Sequence, residues 1–149
     1  MPKLNQEMRE YVASAGVRAE QVFKVSFVFR EKLQEYLARF GEEYGVTWRD
    51  KDTVDAPGFV LDSICGNIVA DFEHVQRGGE ILGMYRFYRY GGTPLKRELI
   101  NFWGVVFSAS GNASWSPEGT WEWHIDNDND VVAFIPRVML EFYSAIEID

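Results

Sequence analysis

Residues 18–44 constrain the fold most. Eight apolar or aromatic side chains, Val22, Val25, Phe29, Leu33, Tyr36, Leu37, Phe40 and Tyr44, recur there near a period of 3.6 residues. That spacing lines one face of an α-helix. A helix of this extent runs about 40 Å, so the rest of the chain must offer it a long apolar surface. The run VFKVSFVFR also alternates, with Phe23, Val25, Phe27 and Phe29 on one side of an extended chain. The flanks RAEQ and EKLQEYLARFGEEYG favour helix, and Gly41 and Gly45 stand where a C-terminal stop belongs. One long helix is expected, with a strand followed by a helix as the alternative.

The rest of the chain is less periodic. The first sixteen residues read as helix, with Leu4, Met8, Tyr11 and Val12 on one side. WRDKDTVDAPG reads as a polar loop. A second helix is expected from about Phe59 to Val75, carrying Phe59, Leu61, Ile64, Ile68, Val69, Phe72 and Val75, and ended by QRGGE. EILGMYRFYRYGG reads as an aromatic strand closed by Gly-Gly. TPLKRELINFWGVVFSASG supports two readings: a helix opened by Thr93-Pro94, or a strand from Ile100 to Ser108. GNASWSPEG is a loop, TWEWHID an alternating strand, NDND a turn and VVAF a short strand. IPRVMLEFYSAIEI closes the chain as a helix. The expected class is α+β: one domain over residues 1–149, with helices packed on one side of a small, mostly antiparallel sheet.

Composition sets broad bounds. A chain of 149 residues buries roughly 68–70% of its unfolded surface, so it needs no disulfide or metal staple. Cys65 is the single cysteine and has no internal partner. It sits in LDSICGNIVADF, which predicts a buried structural thiol. The start MPKLNQEMRE is polar and no apolar run reaches eighteen residues, so a cytoplasmic setting is the default expectation.

Net charge is −8, unevenly spread. Residues 77–97 hold Arg77, Arg86, Arg89, Lys96 and Arg97 against Glu80 alone, a local +4. Residues 118–149 hold eight acids against Arg137 alone, a local −7. A field of that sign repels nucleic acid and anionic membrane and attracts basic proteins.

Asp126, Asp128 and Asp130 match the first three ligand places of a calcium loop. The places that call for Gly and for a bidentate Glu hold Val131 and Arg137, so a turn is the better reading. Glu122, His124 and Asp126 share one face of the expected strand, but an iron site would need a second His, and His74 lies far upstream. MYRFYRY interleaves arginine with aromatics, as single-stranded nucleic-acid binders do. In a strand, though, Arg86 and Arg89 face opposite sides, and nucleic-acid binding is not favoured. No nucleophile elbow, phosphate loop or dinucleotide pattern occurs. No cofactor or metal is implied, and the balance leans away from an enzyme.

The expected function is a small acidic, non-catalytic interaction protein that masks a basic partner, of the toxin-immunity or anti-defence inhibitor kind. The expected partner-binding residues are Trp115, Glu118, Trp121, Glu122, Asp126, Asp128 and Asp130, with Tyr143 as a further anchor. The competing expectation is that Arg86 or Arg89 lies opposite Glu122 or Asp126 and consumes the charge internally. One alternative is a ligand-binding or enzymatic α+β pocket with an aromatic cavity around His124 or His74. A second is a homo-oligomeric structural subunit whose aromatic surplus forms an interface.

Overall fold

The computed structural model describes residues 2–51 and 56–148, with side chains from residue 5 onward. Helix α1 (Pro2–Tyr44) leads into seven strands: β1 (Val46–Asp50), β2 (Phe59–Ser63), β3 (Gly66–Arg77), β4 (Glu80–Thr93), β5 (Lys96–Phe107), β6 (Asn112–Ala113) and β7 (Trp123–His124). Two helices close the chain, α2 (Asp128–Val132) and α3 (Phe134–Ala145). The strands form one sheet in chain order, every neighbour antiparallel. The class is α+β, with the helices packed against this sheet. None of the described helices is long and apolar enough to cross a membrane.

The helical period wins over the alternating one in residues 18–44. Val22, Phe29, Leu33 and Leu37 are buried while Phe23 and Val28 stay exposed, the partition a helix makes and a strand does not. The expected N-terminal helix and this one are a single element. It ends where Gly45 turns the chain at φ +66°, a left-handed conformation that glycine adopts without a steric penalty.

Several sequence expectations are corrected. The segment expected as a helix, Phe59 to Val75, is the β2–β3 hairpin. Phe59 pairs with Ala70 and Leu61 with Ile68. Val60 and Val69, on the opposite face, are also buried. With both faces covered, the period-2 signal vanishes and the apolar run mimics a helix. Cys65 is therefore not in a buried helix; it is exposed in the hairpin turn. The segment expected as a polar loop begins with strand β1, and the stretch 52–55 lies outside the described residues. Between Thr93 and Lys96 there is no helix start: Thr93 Oγ1 accepts the Lys96 N–H at 3.1 Å and closes the β4–β5 turn. VVAF is helical, because Asn127 caps α2 and Val131, Phe134 and Ile135 reach the core on a helical period. TWEWHID contributes only Trp123 and His124 to the sheet.

The core is aromatic. Phe29 of α1 packs on Tyr85, Trp123 and Phe134, with ring centroids 5.7, 5.8 and 5.0 Å away. Phe134 also meets Phe87 and Trp103, so α1, α3 and β4–β5 share one core. Buried Arg30 of α1 pairs with Asp50 of β1 and lies over the Trp48 ring.

Candidate functional site

The acidic region is built by the chain from Ser108 to Ala133. Gly111 makes the tight turn into β6 at φ +92°, and a Cβ there would come within 2.8 Å of the His124 ring. Trp115 follows and stacks on Trp123 at 4.7 Å and on Trp103 at 6.4 Å. The Trp103 indole N–H donates to the Trp115 carbonyl at 2.8 Å. Trp115 is thus part of the packing, with Arg137 over its ring, and offers little free surface as an anchor. Arg77 donates to the carbonyls of Pro117 and Gly119 at 3.2 and 3.1 Å and lies over the exposed Trp121 ring. One arginine therefore holds the loop that carries Glu118 and Trp121.

The acids divide into two groups. Glu118, Glu122 and Asp126 are exposed, and no lysine or arginine among the described residues pairs with them. Asp126 approaches only His124 Nδ1, at 4.0 Å. Asp128 faces solvent but pairs with Lys32 Nζ at 2.9 Å, and the same ammonium donates to the Asp126 carbonyl at 3.2 Å. Asp130 turns inward, where its carboxylate accepts the His124 N–H at 3.0 Å. The three alternate aspartates therefore do not converge, and no metal-ligating cluster forms among the described residues. Lys32 was missed in the sequence reading; it lies 94 residues from Asp126 and has no local signal.

The cross-strand pairing of Arg86 or Arg89 with Glu122 or Asp126 is overturned. β5 and β6 separate β4 from β7. Arg86 pairs instead with Glu73 of the adjacent strand. Arg89 has no ion pair among the described residues. The histidines do not meet either. His74 Nε2 lies 2.9 Å from the Ala19 carbonyl. His124 Nδ1 accepts the Asp126 N–H at 3.0 Å, so its proton sits on Nε2, which donates to the Ser110 carbonyl at 2.9 Å. Both His124 nitrogens are thus engaged in holding the turn.

A shallow groove of about 230 Å³ runs beside the acids, between α1 and α2. Tyr36, Phe40, Val131 and Val132 line it, and Lys32, Arg39, Glu35 and Asp128 rim it. Phe40 and Val132 are exposed. Tyr143, on α3, is exposed as well. The arrangement offers charge and apolar contact together. No family model, curated protein or solved structure matches this chain.

Proposed function

We propose that the chain is a non-catalytic interaction protein that docks its acidic C-terminal region on a basic partner and masks it. The reading rests on Glu118, Glu122 and Asp126, which stay outward with no lysine or arginine paired to them among the described residues. Unpaired surface acids of one sign accelerate encounter with a positive surface more than they strengthen the final complex. Trp121 and the groove residues Phe40 and Val132 supply apolar contact beside them. An inhibitor of the immunity or anti-defence kind, which covers a basic groove by occupancy and charge mimicry, is the specific form this takes. Asp128 and Asp130 are partly spent on Lys32 and on the His124 N–H, so they carry less of the field than their spacing suggests.

The test is an NMR titration of the isotopically labelled chain with an oligolysine peptide. It is run at about 10 mM and about 150 mM salt, where the Debye length is roughly 30 and 8 Å. Shifts centred on 115–128 at low salt, weakened at high salt and abolished by Glu118→Lys with Glu122→Lys and Asp126→Lys, support the reading. Shifts spread evenly over the molecule, or unchanged in the triple variant, sink it. Asp130 is left intact because its carboxylate holds the turn.

A second reading is a homo-oligomeric subunit, and α1 favours it. Met8, Tyr11 and Val12 are exposed, on the face that is buried further along at Val22, Phe29 and Leu33. Asn5, Met8, Arg9 and Val12 border a surface hollow at the i, i+3, i+4, i+7 spacing that receives a side chain from a facing helix. Sedimentation equilibrium decides between a dimer and a monomer.

A further inference from the structure

The apolar seam of α1 does not stop where the sheet stops. Met8, Val12, Ala15, Ala19, Val22, Ser26, Phe29 and Leu33 follow one another at alternating steps of four and three residues. That is the 3.5-residue repeat of helices that pack side by side along their length. From Val22 onward the chain's own sheet fills the seam, and Val22, Ser26, Phe29 and Leu33 are all buried. Ala15 and Ala19 are half-buried, while Met8 and Val12 lie open. The changeover falls at the β3–β4 hairpin. There His74 Nε2 lies 2.9 Å from the Ala19 carbonyl, Arg18 pairs with Glu80 at 3.2 Å, and the Tyr11 hydroxyl donates to the Gly79 carbonyl at 3.4 Å.

Charge favours a second copy as the cover of the open part. Over residues 1–16 Lys3 and Arg9 balance Glu7 and Glu10, so this segment has a side-chain charge of 0 in a chain of −8. A strongly charged partner gains little there, whereas two copies meet without the repulsion that the rest of each chain imposes. The place of the sheet then sets the direction. In a parallel pair both helices run on together past Val22, where each seam already holds its own sheet, and the two bodies compete for one space. In an antiparallel pair each body lies beyond the N-terminal end of the other helix. Met8 stands opposite the partner's Val12 and Asn5 opposite the partner's Ala15. Each helix starts level with Arg18 of the other, short of the covered seam at Val22. In this register the partner's Val12 comes level with the hollow bordered by Asn5, Met8, Arg9 and Val12, the i, i+3, i+4, i+7 hole that receives a knob. An overlap of roughly 25 Å buries less than the ~1,600 Å² of a standard interface, so the pairing is weak and reversible.

We propose that two copies pair as an antiparallel helix dimer through residues 5–15 of α1, about a twofold axis level with Glu10; this rests on the homo-oligomeric reading of α1 and adds its direction and register.

Sedimentation equilibrium gives the mass, and the single, exposed Cys65 gives the direction without any substitution. Cys65 sits in the β2–β3 turn, at the end of the sheet where α1 finishes and Val46 pairs with Ser63. Antiparallel pairing therefore sets the two thiols about 100 Å apart, beyond the reach of resonance energy transfer. Chains labelled there with donor or acceptor should sediment as a dimer at high concentration and show no transfer. The register is read in a Cys65→Ser background with Met8→Cys and Val12→Cys, both at exposed positions. Mixed and oxidised, the two variants should form the mixed disulfide several times faster than either forms a disulfide with itself, and urea should erase that preference. Energy transfer within the dimer overturns the antiparallel direction, and faster or equal self-pairing of either variant overturns the register. Both outcomes leave the homo-oligomeric reading standing. A wild-type chain that stays monomeric at high concentration overturns the pairing and that reading together.

Discussion

The Asp130 carboxylate accepts a hydrogen bond from the His124 backbone N–H at 3.0 Å. It thereby ties the first turn of α2 to the last strand of the sheet. Asn127 supports the same turn, accepting the N–H groups of Asn129 and Asp130 at 3.0 and 3.3 Å. Asp126, two residues along from His124, leaves its carboxylate in solvent. Neighbouring acids in one short run therefore have different tasks.

Replacing them should separate those tasks. Asp130→Ala removes a charged acceptor from a partly buried N–H and should cost about 1–2 kcal/mol. Asn127→Ala removes a cap and should cost about 1 kcal/mol. Asp126→Ala should stay within about 0.5 kcal/mol of wild type. For a chain of this size each kcal/mol lowers Tm by about 2–4 °C. Urea midpoints check the order, and an Asp130→Ala no worse than Asp126→Ala removes the structural role of Asp130.

Gly83 of β4 faces the underside of α1. A Cβ there would lie 2.7 Å from Phe107 Cε2 and 2.8 Å from Val22 Cγ1. Both neighbours are fully packed and neither is a flexible tail. Gly83→Ala should therefore cost about 1–3 kcal/mol by overpacking. Phe107→Leu makes room, so the double variant should be more stable than the sum of the single losses allows. Additive losses in a denaturation series mean that the ring does not set the spacing.

The parts of the fold readable in the sequence are those whose period survives burial. In α1 the 3.6-residue stripe runs long enough to outvote the local alternation of Phe23 to Phe29. In β4 the run from Glu80 keeps its aromatic, β-branched character up to Gly91-Gly92. The β2–β3 hairpin failed because burial on both faces at Val60, Leu61, Ile68 and Val69 erased the alternation. α2 failed because five residues carry too little pattern to tell a helix capped by Asn127 from the turn expected at NDND. At the site, the charge of residues 118–149 was visible. Its partition was not, because Lys32 reaches Asp128 from the other end of the chain. Long-range pairing of that kind has no signature in spacing.

Tyr85 predicts the alkaline limit of the fold. Its phenol is buried, donating to the carbonyls of Pro57 at 2.9 Å and Ser26 at 3.3 Å. Burial pushes its pKa well above the ordinary 10.0. Tyr36 is pushed up to about 12 by burial first, then by its hydrogen bond with Tyr44. A raised folded pKa means that the native state keeps its proton while the unfolded chain loses it. The stabilisation is complete below pH 10 and is lost as pH rises above it. Unfolding free energy should fall between about pH 10 and 12, with the last phenolate absorbance appearing together with loss of circular dichroism. Tyr85→Phe should flatten that slope while lowering stability at neutral pH. An unchanged slope in Tyr85→Phe and in Tyr36→Phe assigns the alkaline transition elsewhere.

The apolar face of α1 should behave as two regions with opposite consequences. Val22, Phe29, Leu33 and Leu37 lie against the sheet, and Leu33→Ala should cost about 2–5 kcal/mol. Met8 and Val12 continue the stripe but are 58% and 66% exposed, since the whole helix is about 65 Å long and the sheet covers only part of it. Met8→Gln with Val12→Gln should leave the urea midpoint of the monomer within about 0.5 kcal/mol of wild type. If this exposed stretch joins two copies, the same pair of changes should shift sedimentation equilibrium toward the monomer, and the concentration dependence of Tm should disappear with it. A wild-type chain that stays monomeric at high concentration removes the homo-oligomeric reading. A marked loss of monomer stability would instead mean that Met8 and Val12 pack on the fold itself, against their exposure.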